Sequence, residues 1–419
     1  MKRTFLWSAA VVLTVQSCAF AQSSPVSATP LAALIAEAES SNTQITSAER
    51  GARAARQVAP QKSALPDPTL TLQQFSVGSP RPFAGYTNSN FAYVGIGASQ
   101  ELPYPGKLRL RGEVAEQQAD VQQRQVQVAT VNVDDAVKSD YLQLAYLQQT
   151  LSILQQNQLV VDELIQDAAI RYKVGQGMQQ DVLQAQVQRT KIVRELTLHH
   201  QEMGRLEADL KGLLHRDQDS PDIVPEAMTE SALHVTATEL LAMVRQRNPQ
   251  VQVDASAVKK TEAQLASAKR EGKPDFGLSY MYQNTDRKYR DYYMLTLNVR
   301  FPRRKRVNAE IGEAAEMLAQ SKEALDAGVQ KQLAETQQQY VQVTSDAELL
   351  KEYREGLIPQ SQAAYQATLS GYSANKEELV NVLLYFTNVL DLQLDAARTL
   401  ADHETALAHL ESLTGATLR

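Results

Sequence analysis

Phe276-Gly277-Leu278-Ser279-Tyr280-Met281-Tyr282 and, a short polar stretch later, Tyr293-Met294-Leu295-Thr296-Leu297-Asn298-Val299-Arg300-Phe301 decide the fold. In both runs every second residue is apolar, the period of a strand rather than of a helix. Phe276, Leu278, Tyr280 and Tyr282 make one face of the first run. Tyr293, Leu295, Leu297, Val299 and Phe301 make one face of the second, and Asn298 and Arg300 lie on the other. The length is close to the roughly 9–11 residues with which a tilted strand crosses a bilayer. Tyr280, Tyr282, Tyr292 and Tyr293 are expected to form an aromatic girdle at the membrane interface.

A weaker pair lies upstream: Leu70 and Leu72, then Val94, Ile96 and Ala98 alternating with Gly95, Gly97 and Ser99. An antiparallel sheet on a soluble core is the ordinary reading of such strands. Four strands cannot close a barrel, however, and an open strand edge is not tolerated in lipid. A membrane reading therefore requires several chains to share one barrel; three chains of four strands would make about 12, within the known range. The loops 77–90 and 284–290 would then face outside the cell.

Outward from the strands, the chain is written twice. Tyr172 matches Tyr372, Val182-Leu183 matches Val382-Leu383, Leu210 matches Leu410 and Leu213 matches Leu413, each pair 200 residues apart. Upstream the same order recurs with small gaps: Asn42-Thr43-Gln44-Ile45 with Asn248-Pro249-Gln250-Val251, Pro66-Asp67 with Pro274-Asp275, and Leu102-Pro103 with Phe301-Pro302. A unit this long is no solenoid repeat, whose period is about 20–50 residues. The expected division is a first repeat over 22–215, a linker rich in Asp, Pro and Ser over 216–237, and a second repeat over 238–419.

Each repeat reads as a helix (30–62 and 238–270), a strand pair, a very long helix (106–172 and 304–372) and a fourth helix (178–214 and 377–414). In the first long helix Val137, Leu144 and Leu151 form one seven-residue register, and Leu147, Leu154, Val161 and Ala168 another. Offset by three, they make the a/d seam of coiled-coil packing. At 1.5 Å per residue the helix is about 100 Å long. The two shorter helices together match it in length, so they are expected to stack end to end beside it. Pro359 falls inside the second long helix and is expected to kink it.

The first 21 residues read as a secretory signal: Lys2 and Arg3, an apolar stretch from Phe5 to Val15, and Ala19-Phe20-Ala21 before the cleavage point. Cys18 is a candidate for lipidation, but Gln16 stands where a small residue is expected and the Ala-x-Ala site fits better. Cleavage would remove the single cysteine and, with Lys2 and Arg3, take the net charge from −6 to −8. Thiol catalysis, disulfides and cysteine-based zinc sites would then be excluded.

With 42 Lys and Arg against 48 Asp and Glu, the 419 residues carry no basic excess for nucleic acid. Beyond the N-terminus there is no apolar run long enough for a helical membrane span. Enzyme signatures are missing too. His403-Glu404 with His409 has the wrong spacing for a zinc-binding helix face, and the adjacent His199 and His200 point about 100° apart. No catalytic residue, cofactor or metal ligand is expected.

The duplicated plan and its turns resemble the TolC-like outer-membrane efflux proteins, over essentially the whole mature chain. The turns are Arg171-Tyr172-Lys173-Val174-Gly175-Gln176-Gly177 with Asp181-Val182-Leu183, and Gly371-Tyr372 with Val382-Leu383; Leu357-Ile358-Pro359 is similar to the family as well. The resemblance implies a mainly α fold whose duplicated coiled-coil hairpins build a periplasmic α-barrel in a homotrimer. The four strands per chain would join a shared 12-stranded barrel in outer-membrane lipid. It also implies an outer-membrane location with a large periplasmic portion, and passive export. The partners would be a periplasmic adaptor and an inner-membrane pump of the RND type. A secreted coiled-coil scaffold, or an adaptor without a pore, is the alternative.

By the same resemblance Val174, Gly175 and Gln176 fall on one periplasmic tip and Ala374, Asn375 and Lys376 on the other, the places that dock the adaptor. Asp181 and Tyr372 match positions that hold the closed gate by a hydrogen bond between helix pairs. Asn298 and Arg300 would line the pore. The chain departs from the pattern at Asn381 and Leu384, where acidic residues are usual, and at Glu377, which replaces the expected arginine beside Lys376. Gln100 to Lys107 is similar to the heavy-metal branch, so metal ions and organic toxins both remain open as cargo.

Overall fold

The computed structural model describes residues 28–87, 89–285 and 290–418. The expected secretory segment with Cys18, and residues 286–289 of the second loop, lie outside the described residues. Two similar halves are present. The first runs α1 (Leu31–Ser41), α2 (Thr43–Arg56), α3 (Val58–Ser63), β1 (Thr69–Phe75), β2 (Tyr93–Leu102), α4 (Lys107–Lys173) and α5 (Gln179–Leu213). The second runs α6 (Ala237–Arg247), α7 (Pro249–Glu271), β3 (Asp275–Asn284), β4 (Asp291–Arg300), α8 (Arg304–Glu352), α9 (Ile358–Ser373) and α10 (Leu379–Thr414).

Sequence periodicity translates directly into packing. Every residue of the two heptad registers in α4 is buried, Val137 and Val161 completely. They feed two cores. At about its mid-length α4 packs on α1, α2 and α5 through Leu34, Val137, Leu144, Leu206 and Leu210, and in a separate cluster α8 packs on α6 and α10 through Leu240, Val343, Leu407 and Leu410. Toward the far end Leu154, Val161, Ile192, Tyr365, Val382 and Phe386 join α4, α5, α9 and α10 in one cluster.

The helices expected over 30–62 and 238–270 are broken, and the break explains a repeated motif. Asn42 ends α1 and caps α2: its Oδ1 accepts from Gln44 N at 2.8 Å and its Nδ2 donates to Leu213 O at 2.8 Å. Asn248 does the same, accepting from Val251 N at 3.1 Å and donating to Leu413 O at 2.9 Å. Each asparagine satisfies an orphan donor at one helix start and an orphan carbonyl at the end of the fourth helix. The shorter helices are thereby joined end to end along the long one.

At the strand-to-helix junction Lys107 is 1% exposed, and its ammonium lies 2.8 Å from Asp275 and 3.3 Å from Glu271. Tyr104 N donates to Asp275 at 2.9 Å, and Arg270 Nη2 donates to Pro105 O at 2.6 Å. The segment Gln100 to Lys107 thus clamps the first half onto the second.

The strands form one antiparallel sheet in the order β1-β2-β3-β4. Leu72 sits opposite Ile96, Ile96 opposite Tyr282, and Tyr282 opposite Tyr293. One face therefore reads Leu70, Leu72, Ile96, Leu278, Tyr280, Leu295 and Leu297 from edge to edge. Tyr282 and Tyr293 meet on it with ring centroids 5.5 Å apart. Tyr292 does not belong to this group: it pairs with Gln283 on the opposite face, because adjacent strand residues point to opposite sides.

Candidate functional site: the open sheet and the paired tips

Two regions carry features that a compact soluble protein does not need. The first is the sheet. Its apolar face is open, with Leu72 74% and Leu295 70% exposed, a surface whose transfer from water is worth about 25 cal/mol per Å². The other face is mixed: it carries Thr71, Gln73, Ser99, Glu101, Ser279, Asn298 and Arg300 together with Phe75, Tyr93, Met281, Tyr292 and Met294. Asn298 lies opposite Gly277, and Arg300 pairs with Glu101 at 3.1 Å. Both expected pore residues are therefore on this mixed face of the sheet. Among the described residues β1 and β4 each pair on one side only, leaving a row of unused main-chain groups at either edge.

The second region is the far end of the helices. α4 ends where Gly175 turns left-handed, at φ 74°. Val174 N donates to Ile170 O, Gly175 N to Tyr172 O and Gln176 N to Arg171 O. The second turn repeats this 200 residues later: Ala374 N to Ser370 O, Asn375 N to Tyr372 O and Lys376 N to Gly371 O. Asn375, at φ 57°, takes the left-handed position of Gly175, one that asparagine tolerates better than most residues. All six expected tip residues lie on these exposed turns.

Arg171 connects the tips. Its Nη1 donates to Asn375 Oδ1 at 2.6 Å, its Nη2 donates to Ser373 O at 2.9 Å, and its guanidinium lies 4.5 Å from the centre of the Tyr372 ring. The expected bond between Asp181 and Tyr372 is not formed within the chain. Asp181 instead accepts from Met178 N at 3.3 Å, capping α5, and the buried Tyr372 hydroxyl has no partner among the described residues. Burial first, and the nearby Asp181 charge second, push the Tyr372 hydroxyl above its ordinary pKa. Sequence reading missed Arg171 because its partners lie some 200 residues away. The one signal was the loss of the expected cation at Glu377, which leaves room for a cation from the other turn.

Beside the tips, Leu183, Val187, Val380 and Leu384 line an open groove of about 720 Å³ between α5 and α10. Among the described residues no group of three His, Cys, Asp or Glu side chains is placed to hold a metal ion. No described helix is long and apolar enough to cross a membrane. His409, on α10, bridges Asp135 of α4 and Glu335 of α8, each at 3.1 Å.

Comparison with known proteins fits this geometry. The sequence model of the outer membrane efflux protein family matches residues 34–213 and 240–416. The chain is similar to the outer-membrane channel OprN at 17% identity (TM-score 0.78, covering 92% of this chain and 89% of that one). It is similar to CusC, studied for folding and transmembrane channel formation, at 15% identity (TM-score 0.78, 92% of both chains). VceC of Vibrio cholerae aligns at 14% identity (TM-score 0.76, 93% and 97%). At these identities the likeness is one of fold. No curated protein sequence matches the chain.

Proposed function

The chain belongs to the outer membrane efflux protein family, and we propose that it is one third of a passive export duct. The family is one of channels, so the site is a passage and not a catalytic centre. In this reading three chains pair β4 of one sheet with β1 of the next. The apolar faces meet lipid and the mixed faces enclose the pore. The observation that carries the reading is the continuous apolar face on a sheet with two unused edges. A soluble scaffold or an adaptor leaves that face without a solvent.

The helices continue the passage through the periplasm, and the tips close it. Substrate reaches the tip from an inner-membrane pump of the RND type through a periplasmic adaptor. The adaptor docks on Val174, Gly175, Gln176, Ala374, Asn375 and Lys376, with the apolar groove beside them. Asp181 and Tyr372 belong to the gate; the buried Tyr372 hydroxyl gains its partner in the assembled trimer. A buried hydroxyl without one is disfavoured by about 1–3 kcal/mol. Arg171 holds the two hairpins of each chain together, in place of the cation missing at Glu377. Asn298 and Arg300 face the pore.

Conductance across planar lipid bilayers tests this. The purified full chain is expected to form small, stable channels. Arg171→Ala and Tyr372→Ala are expected to raise the conductance severalfold, with Arg171→Lys between them and wild type. A chain that forms no channels, alone or with either substitution, would remove the duct reading.

A further inference from the structure

The two halves do not keep one spacing. Pro103 and Pro302 are 199 residues apart, whereas Tyr172 and Tyr372 are 200 apart. Buried positions in the long helices locate the change. Val137 and Thr336, Leu144 and Val343, Leu147 and Asp346, and Leu151 and Leu350 are core pairs 199 apart, but Val161 and Ser361 are 200 apart. One residue has entered the second long helix between Leu350 and Ser361.

In that interval the α-helix opens into a single π turn, Tyr353–Leu357. The Ile358 N–H donates to Tyr353 O, five residues back. A helix can take up one extra residue as a π turn and keep its faces in phase on either side. Pro359 follows at once. It has no N–H to give, and the wider turn gives its ring room beside the preceding carbonyls. α4 has neither feature and runs unbroken from Lys107 to Lys173.

The core is interrupted at the same level. No residue from Lys351 to Gln360 is buried, and neither is any in the facing stretch of α10, Asp391–Ala396. Leu350 and Ala397 close the core on one side, Tyr365, Phe386 and Leu390 on the other. Between the hairpins the contact here is polar, with Asn157 Nδ2 donating to Gln393 Oε1 at 3.1 Å. α4 carries buried Leu151, Leu154 and Val161 through this level. The first hairpin keeps its long helix packed at this level although α5 carries no buried residue from Val193 to Arg205; in the second hairpin the long helix itself is bare.

We propose that the π turn Tyr353–Leu357, with Pro359 and the facing stretch Asp391–Ala396, is a hinge on which the distal part of the second hairpin swings when the tip opens. The proposal rests on the gate reading above and adds to it where the moving part begins. A π turn beside a proline is a recognised origin of helix kinks, and hinges are short segments where few packed contacts resist a backbone change. α4 and α5 stay fixed, and Arg171 is the contact that the swing must break.

The test uses the assembled full chain in two measurements. Amide exchange over 351–361 is expected to be at least tenfold faster than over 151–161 of α4. Equal exchange overturns the hinge whatever the gate does. Deleting Gly356 together with Pro359→Ala restores an unbroken α-helix with both faces in phase. In the Arg171→Ala background this is expected to lower the bilayer conductance at least threefold, back toward wild type. Pro359→Ala alone keeps the extra residue and is expected to leave the conductance high. Gly356→Ala, whose added methyl meets only Glu352 Oε2 at 3.9 Å, is the milder variant should the deletion fail to assemble; it is expected to slow exchange over 351–361 at least threefold. Unchanged exchange in it overturns the hinge. If Arg171→Ala opens the channel and the deletion leaves it open, the hinge fails and the gate stands. If Arg171→Ala does not raise conductance, the gate reading fails and exchange alone decides the hinge.

Discussion

Asn42 and Asn248 each do two jobs, capping one helix and holding the last carbonyl of another. Asn42→Ala and Asn248→Ala should each lower stability by about 1–2 kcal/mol, read as a drop in the melting temperature of the detergent-solubilised protein; an unchanged melt would assign them no such role. Lys107→Ala takes the buried ammonium from Asp275 and leaves Glu271 with Arg111 alone, and removing one partner of a buried pair costs about 3 kcal/mol or more. Its melting point should fall further than that of Lys138→Ala, whose side chain is 18% exposed against 1% for Lys107. His409 is a pH-dependent tie. Hydrogen bonding to Asp135 is the largest cause, with Glu335 adding to it against the burial that opposes it, and its pKa is raised to about 9. A raised folded-state value means that the stabilisation is complete below pH 6.5, the unfolded value, and fades as the pH rises through 9. Melting curves between those pH values should slope downward in wild type and flatten in His409→Gln.

At the scale of elements, the sheet makes the sharpest distinction. Leu295 and Thr296 are neighbours on β4 but face opposite ways. An arginine at Leu295 would meet lipid and destabilise insertion by about 2–4 kcal/mol near mid-bilayer, whereas a lysine at Thr296 would meet the pore. Leu295→Arg should therefore be depleted from outer-membrane fractions, while Thr296→Lys inserts and shifts the reversal potential toward anion selectivity; equal insertion of both would assign the faces wrongly. These faces were legible beforehand because a period of two survives in a short strand. The heptad seam in α4 was legible for the same reason. The breaks at Asn42 and Asn248 were not, since asparagine at a helix end is recognised by the carbonyl it reaches, here some 170 residues away. The extra residue near Gly356 was visible as 199 against 200, but only the turn at Tyr353–Leu357 says where the helix puts it. Arg171 was in a quoted motif, yet its role lies in contacts with the other half of the chain.

The molecule as a whole is incomplete as a single chain. Its helices build their own cores, and the sequence plan of two similar halves accounts for them. The sheet instead presents an apolar face and two unused edges, and both are resolved together by neighbouring copies in a membrane. Native mass spectrometry of the protein extracted from outer membranes tests this most directly. The prediction is a detergent-dependent complex of three chains, while a single chain that stays soluble without detergent would contradict it.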